Sequence, residues 1–179
     1  FLEHDNIYTA GTSAKPEDLI EKNKFKVYES SRGGQYTYHG PGQKIIYLML
    51  NLRKKGYDIR KFIALIEEWI IISLQDIGVK GINDKDHVGI WVEDKNTLKK
   101  ISSIGLRVRK GITFHGVSIN MNPNLENFKG INPCGNNPND VTSLEEMGLK
   151  KEIKYFDDIL IRNFNKLFNA KLKLRKIQE

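Results

Sequence analysis

Apolar residues in the first half of the chain form one strand-like run followed by one helical pattern. Lys44–Leu52 is dense in residues that favour strands, and it predicts a buried strand. Asp58 then has the character of a helix N-cap, and apolar residues recur behind it at helical spacing until Gly78. The predicted apolar face of this helix comprises Phe62, Ile63, Leu65, Ile66, Trp69 and Ile70.

The second half of the chain alternates strand signals with loop signals. Val88–Glu93 predicts a short strand. Ile101–Arg109 and Ile112–Asn120 predict two strands that are joined at Arg109-Lys110-Gly111 in a hairpin. Asn122–Asp140 is rich in Asn, Pro and Gly, so we expect it to be largely loop.

Two helices are predicted after this loop. Thr142 and Glu145 have capping-box spacing, which predicts a short helix that begins at Thr142. A last helix carries one apolar face, made of Ile153, Phe156, Leu160, Phe164 and Leu167. Strands mixed with helices indicate an α/β or α+β fold, in which helices cover a mixed, largely antiparallel sheet.

Length and composition agree with one compact unit. The 179 residues, 39% of them hydrophobic, predict a single compact domain over residues 1–179. The chain begins at Phe1-Leu2-Glu3-His4 without an initiator Met, in a stretch typical of the interior of an element. We therefore expect further residues to precede Phe1.

Charge, apolar run length and cysteine content narrow the class of protein. The net charge of +7 favours acidic partners, of which nucleic acid and a small acidic carrier protein are two. The longest apolar run, Ile45–Leu50, is too short to span a membrane. A single cysteine excludes an internal disulfide and a multi-cysteine metal site. The start shows no secretory pattern, so we expect a cytoplasmic protein.

The densest chemical signal is the glycine-rich segment Ser31–Gln43. Its four glycines and one proline permit a ligand to approach the backbone closely, and Arg32, Tyr36, Tyr38 and His39 stand among them. An ordinary turn before the next strand is an equally good interpretation of the spacing alone. The segment is neither a Walker loop nor a dinucleotide fingerprint, because no Gly-Lys-Ser/Thr follows and a strand comes where a helix is needed.

Cys134 lies in the second segment, Ile131–Asp140. A free cysteine is usually a small buried apolar residue. Here Pro133 and Gly135 flank it and amides follow, which is typical of a loop. Backbone N–H groups on such a loop can favour a thiolate and stabilise an oxyanion, so Cys134 is the candidate nucleophile.

The third segment, Lys99–Arg109, interrupts a strand pattern with the small residues Ser102-Ser103-Ile104-Gly105. Lysines are generally solvated surface charges, and this interpretation stays open for Lys99 and Lys100. His115 lies on the next strand, beside the small residues if the hairpin forms. A lone histidine is more often structural than catalytic, so His115 is a secondary candidate.

Together these segments resemble the octanoyltransferase family, also called lipoyl(octanoyl) transferases or lipoate-protein ligase B. The matching segments, in order, are Arg32–Gln43, Lys100–Val108, Phe114–Asn120 and Ile131–Gly135. The resemblance implies the catalytic-domain fold of the biotin and lipoate protein ligases. It also implies transfer of an octanoyl group from octanoyl-acyl carrier protein to a lysine of a lipoyl domain, the first step of protein lipoylation, with no cofactor and no metal.

The resemblance also assigns roles to residues. Cys134 matches the cysteine that carries the acyl thioester, and Lys100 matches the catalytic lysine. The expected substrate-binding residues are Arg32, Gly33, Gly34, Gln35, Tyr36, Thr37, Tyr38, His39, Ser103, Ile104, Gly105, Gly116, Val117 and Ser118. The implied partners are octanoyl-acyl carrier protein as donor and, as acceptors, lipoyl domains of dehydrogenase complexes and the glycine cleavage H protein, with neither nucleic acid nor a membrane span.

Three alternatives stay open at this point. An ATP-dependent lipoate or biotin protein ligase of the same fold would activate a free acid and need no cysteine. A carrier-to-carrier amidotransferase would use a cysteine thioester with another donor. A basic nucleic-acid-binding module would interleave Lys and Arg with exposed aromatic residues on one face, whereas the basic residues here are spread along the chain.

Overall fold

The computed structural model describes residues 1–84, 88–133 and 137–172. In chain order these contain β1 (Ile7–Ala10), β2 (Lys26–Glu29), β3 (Tyr36–His39), β4 (Gln43–Tyr47), α1 (Leu52–Lys55), α2 (Ile59–Gln75), β5 (Gly81–Asn83), β6 (Ile90–Asp94), β7 (Thr97–Arg109), β8 (Ile112–Asn120) and α3 (Phe156–Leu167). Short 3₁₀ helices occupy Pro16–Asp18, Leu125–Gly130 and Glu152–Tyr155.

The strands form two sheets. The larger sheet has the order β4-β8-β7-β6-β5, and all its pairs are antiparallel. The smaller sheet has the order β2-β1-β3, with β1 parallel to β2 and antiparallel to β3. The prediction of a mixed, largely antiparallel sheet with helices is therefore confirmed.

Helices α2 and α3 bury their apolar faces in the main core, which also contains residues of the larger sheet. Trp69 of α2 is almost fully buried, and its indole Nε1 donates to the backbone oxygen of Leu160 in α3 at 2.8 Å. Phe164 meets the Trp69 ring edge-on, with centroids 5.0 Å apart. As predicted, Asp58 caps α2, because its carboxylate accepts from the backbone N–H of Lys61 at 2.8 Å.

The predicted hairpin is present, and it sets the register of the site. Lys110 and Gly111 both have positive φ, of 52° and 81°, at the turn between β7 and β8. The pairing Arg109↔Ile112 then continues to Ser102↔Ile119 without a shift. The two strands therefore bring the segments around Ser103 and Val117 side by side.

Two predictions about individual elements are wrong. The strand predicted over Lys44–Leu52 ends at Tyr47, because Asn51 caps α1 by accepting from the N–H of Lys54. Its edge position in the sheet leaves Tyr47 and Met49 43% and 69% exposed.

The predicted short helix at Thr142 is a series of turns. The Thr142 hydroxyl does not cap a helix, since it donates to Asp94 Oδ2 at 3.0 Å. Ser143 accepts instead from the N–H of Glu146 at 3.2 Å. The last helix forms as predicted from Phe156, while Ile153 lies in the 3₁₀ turn before it.

Candidate active site

The main cavity lies between the two sheets and collects residues from five strands. It holds about 630 Å³ of space, its open mouth included. Its lining comes from β1, β3, β4, β7, β8 and the glycine-rich segment before β3. The lining residues are His4, Thr9, Ser30, Arg32, Gly33, Gly34, Thr37, His39, Ile45, Tyr47, Ser103, Ile104, Gly105, His115, Gly116, Val117 and Ser118.

Arg32 ties the glycine-rich segment to β1. Its side chain is 7% exposed, and its guanidinium donates to the backbone oxygens of Thr9 at 2.7 Å and Gln35 at 2.8 Å. It also donates to Thr9 Oγ1 at 2.8 Å. Gly34 has a φ of 88°, which favours glycine. The segment is therefore held as one wall of the cavity with a buried positive charge behind it.

The hairpin forms the opposite wall, with Ser103, Ile104 and Gly105 paired to Ser118, Val117 and Gly116. Gly116 permits a close approach that no other residue does, because a Cβ there would lie 2.0 Å from the backbone oxygen of Ile46. Next to it, His115 has a φ of 62°, an unusual conformation for a residue inside a strand. The close contact between strands therefore requires a small residue in this wall, independently of any ligand in the cavity.

Two of the histidines that line the cavity, His39 and His115, favour the neutral form. Burial lowers the pKa of His39 to about 4, and the nearby Arg32 charge adds to this effect. Burial also lowers the pKa of His115, with Arg32 and Arg107 adding to it. His115 Nε2 lies 3.2 Å from Ser31 Oγ. The cavity therefore offers neutral imidazoles beside a fixed cation.

Lys100 lies in a second, smaller cavity together with Ser103, Asn120, Phe128, Pro133, Asp140 and Val141. Its side chain is buried, at 7% exposure, and its Nζ donates to the backbone oxygen of Val88 at 3.1 Å. The Nζ also lies 4.8 Å from the centre of the Trp91 ring, a cation–π contact. Ser103 lines both cavities, and Lys100 lies three residues before it in β7.

Cys134 itself lies outside the described residues, but the chain on both sides of it is described. Before it, the N–H of Asn132 donates to the Asp18 backbone oxygen at 2.8 Å, and Pro133 lines the cavity of Lys100. After it, the backbone N–H of Lys100 donates to the oxygen of Asp140 at 2.7 Å, and Val141 pairs with Lys100. Both flanks of Cys134 are therefore attached at or near Lys100.

A family model matches most of the chain. Residues 1–165 match the model of the lipoyl protein ligase A/B catalytic domain. The chain belongs to this family.

Curated relatives are identical to this chain at nearly half of the aligned positions. An octanoyltransferase of Bartonella henselae is 48% identical over 176 residues, covering 93% of this chain and 72% of the relative. One from Cereibacter sphaeroides is 44% identical over 176 residues, covering 93% and 81%. One from Wolbachia pipientis is 46% identical over 168 residues, covering 93% and 82%.

Solved structures share the fold at low identity. A lipoate-protein ligase A bound with ATP matches with a TM-score of 0.71 at 20% identity, covering 99% of this chain and 74% of that one. A putative lipoate protein ligase from T. acidophilum matches with a TM-score of 0.68 at 19% identity, with the same coverage. The predicted lipoate protein ligase-like fold is confirmed by these likenesses.

Most of the substrate-binding residues predicted for this family member lie on the main cavity, but three do not. Gln35, Tyr36 and Tyr38 are absent from its lining. Tyr38 is 1% exposed, and its hydroxyl donates to Asn6 Oδ1 at 2.6 Å. Contact of these three residues with substrate stays a prediction.

Sequence reasoning missed several cavity residues that lie outside the family motifs. These are His4, Thr9, Ser30, Ile45 and Tyr47. A signal existed only for β4, where the alternation of Ile45 and Tyr47 places both side chains on one face of the strand. His4 and Thr9 reach the cavity through long-range sheet and loop packing.

Among residues 1–84, 88–133 and 137–172, no group of three or more His, Cys, Asp or Glu side chains is placed to hold a metal ion. In the same residues, no helix is long and apolar enough to cross a membrane.

Proposed function

We propose that octanoyl transfer by this chain passes through a thioester on Cys134, with octanoyl-acyl carrier protein as donor and a lipoyl-domain lysine as acceptor. That the chain is an octanoyltransferase of protein lipoylation rests on its family and on curated relatives at 44–48% identity. The observation that carries the route is the placement of Pro133 and Lys100 on one cavity, with Val141 paired to Lys100.

The first half of the reaction exchanges one thioester for another. The Cys134 thiolate attacks the octanoyl carbonyl carbon, the carbon–sulfur bond to the carrier breaks, and the carrier thiolate takes a proton from the Lys100 ammonium. That ammonium donates to the Val88 carbonyl and lies over the Trp91 ring. A charged Lys100 in turn favours the Cys134 thiolate.

The second half forms an amide. The neutral amine of the acceptor lysine attacks the Cys134 thioester, its nitrogen bonds to the acyl carbon, and the carbon–sulfur bond breaks. Lys100, now a neutral amine, accepts the proton from that nitrogen, which restores the Lys100 ammonium and the Cys134 thiolate with which the reaction began. A thioester becomes an amide, so this half is downhill without ATP.

A basic groove beside the main cavity suits acidic partners. Arg107 and Arg109 line it together with Met49 and Phe114, which are 69% and 40% exposed. Tyr47 and His115 border both this groove and the main cavity. Acyl carrier proteins and lipoyl domains are typically acidic, and the surface next to the entrance offers them charge together with apolar contact.

ATP-free transfer tests this proposal. The protein is mixed with octanoyl-acyl carrier protein and a lipoyl domain without ATP, and the mass of the lipoyl domain is followed. We expect one octanoyl group per domain. Activity only with ATP and free octanoic acid would instead indicate an ATP-dependent ligase.

The choice of donor needs a second arm. Transfer from an octanoylated carrier domain, but not from octanoyl-acyl carrier protein, would indicate the amidotransferase. Membership of this enzyme family decides against the nucleic-acid-binding module considered above.

A further inference from the structure

A chain of buried amide groups connects the main cavity with the backbone beside Lys100. His39 Nδ1 lies 2.7 Å from Gln43 Oε1, and Gln43 Nε2 donates to Asn120 Oδ1 at 2.9 Å. Asn120 Nδ2 donates to the backbone oxygen of Thr142 at 2.9 Å. The N–H of Thr142 donates to the backbone oxygen of Lys100 at 3.0 Å. Gln43 and Asn120 are 1% and 5% exposed.

This series of hydrogen bonds fixes which nitrogen of His39 carries the proton. The Thr142 backbone oxygen can only accept, so the Asn120 amide must donate to it and accept through its own oxygen. Gln43 must then donate through its nitrogen and accept through Oε1. His39 Nδ1 therefore donates, which leaves Nε2 with its lone pair. Within the described part of the chain, Nε2 makes no hydrogen bond.

The surroundings of His39 keep it neutral. Burial and the charges of Arg32 and His4 lower its pKa to about 4, although the bond to Gln43 acts in the opposite direction. The His4 ring centre lies 5.8 Å from that of His39. The same burial and the same Arg32 charge would lower the pKa of a lysine amine placed beside His39, which favours its nucleophilic form.

We infer that His39 Nε2 accepts an N–H of the incoming lysine amine, and that Gln43 and Asn120 are positioning residues that hold His39 in the Nδ1–H form. This inference rests on the proposed function for the identity of the nucleophile. A neutral amine has two N–H groups and one lone pair. His39 holds one N–H, and the lone pair stays free to form the bond to the acyl carbon.

The tautomer is measured without any activity. In ¹⁵N spectra of the full chain at pH 7, we expect His39 to show a protonated Nδ1 and an unprotonated Nε2. Free histidine prefers the opposite tautomer, so the result is diagnostic. A protonated Nε2 in the wild-type chain would overturn the inference.

Single-turnover kinetics test the role of Nε2. His39→Asn retains a donor to Gln43 but lacks Nε2. We expect transfer from the octanoyl-enzyme to the acceptor lysine to slow about 10-fold, the loss for one hydrogen bond, and to slow more than formation of the octanoyl-enzyme does. Equal slowing of both steps, or no slowing, would contradict the inference.

Gln43→Glu tests the positioning. A carboxylate beside Nδ1 raises the pKa of His39, and the imidazolium then has no free lone pair on Nε2. The rate of lysine transfer relative to wild type should therefore fall as the pH decreases through the raised pKa. A pH-independent ratio would show that Gln43 is merely structural. If the wild-type protein forms no octanoyl-enzyme, the proposed function fails, whereas the tautomer result stands by itself.

Discussion

The described residues contain two apolar clusters that differ in what surrounds them. The larger lies between the five-stranded sheet and helices α2 and α3, and it is built almost wholly from aliphatic and aromatic side chains. The smaller cluster comprises Tyr8, Tyr38, Phe128, Ile131 and Val141. The hydroxyl groups of its two tyrosines both donate hydrogen bonds. Ile131 and Val141 lie on either side of Cys134 in the sequence.

The difference indicates a division of roles. The larger cluster supplies stability through apolar burial. The smaller one holds loop backbone in place with hydrogen bonds, because the Tyr8 hydroxyl donates to the Asn127 backbone oxygen at 2.8 Å and Ile131 pairs with Leu19. Substitutions in the first cluster should lower the free energy of unfolding, whereas substitutions around the second should change transfer.

Trp69→Ala tests the larger cluster. Loss of this buried ring should lower the free energy of unfolding by about 3–5 kcal/mol, measured by urea denaturation. The transfer rate per folded molecule should stay within 2-fold of wild type. Ile82→Ala, at a 39% exposed position, is the control and should cost less than about 0.5 kcal/mol. A folded Trp69→Ala protein without activity would contradict the division.

Lys100→Ala tests the lysine that pairs with Val141 of the smaller cluster. We expect transfer to fall by about 100-fold or more, because a group that handles protons in both halves is lost. The control is Lys99→Ala, since the Lys99 ammonium pairs with Asp94 Oδ2 at 3.2 Å. Transfer per folded molecule should be nearly normal in that variant. The reverse pattern would assign the catalytic role to Lys99.

Removal of the Arg107 and Arg109 charges tests the basic groove. Arg107→Gln with Arg109→Gln should raise the KM for octanoyl-acyl carrier protein several-fold at low salt, with kcat unchanged, and should weaken the salt dependence of kcat/KM. Arg60→Gln with Lys61→Gln on α2 is the matched control, because it removes two exposed charges elsewhere. Equal effects from both sites would show that only the net charge matters.

Tyr38→Phe gives the smallest expected effect. Loss of the hydroxyl removes its bonds to Asn6 and Asn127, at 2.6 and 2.9 Å, and should cost about 1 kcal/mol of stability. The KM for the donor should stay within 2-fold, because Tyr38 is absent from the main cavity lining. A 10-fold rise in KM would show that Tyr38 contacts substrate, as the family resemblance implies.

The sequence predicts those parts of the fold that depend on local patterns. The α2 cap at Asp58 and the turn at Lys110-Gly111 follow from neighbouring residues, and the structure has both. The prediction of a helix that begins at Thr142 is wrong, because the Thr142 hydroxyl donates to a residue distant in sequence, Asp94. The strand predicted over Lys44–Leu52 forms but ends at Tyr47, and Asn51 caps a helix instead of extending the strand.

The same distinction applies to the site. Motifs locate the glycine-rich wall and the hairpin wall, because each is continuous in sequence. They do not predict that Tyr38 turns away from the cavity or that His4 and Thr9 join it, since these placements depend on the pairing of β1 with β3 and on long-range packing. The amide chain from His39 to Thr142 is invisible in the sequence for the same reason.

The most direct test of the account is the mass of the enzyme after brief mixing with octanoyl-acyl carrier protein, without acceptor and without ATP. We expect one octanoyl adduct per chain, mapped by peptide digestion to Cys134, lost on treatment with hydroxylamine and absent from Cys134→Ser. An adduct on another residue, or full transfer activity in Cys134→Ser, would contradict the account.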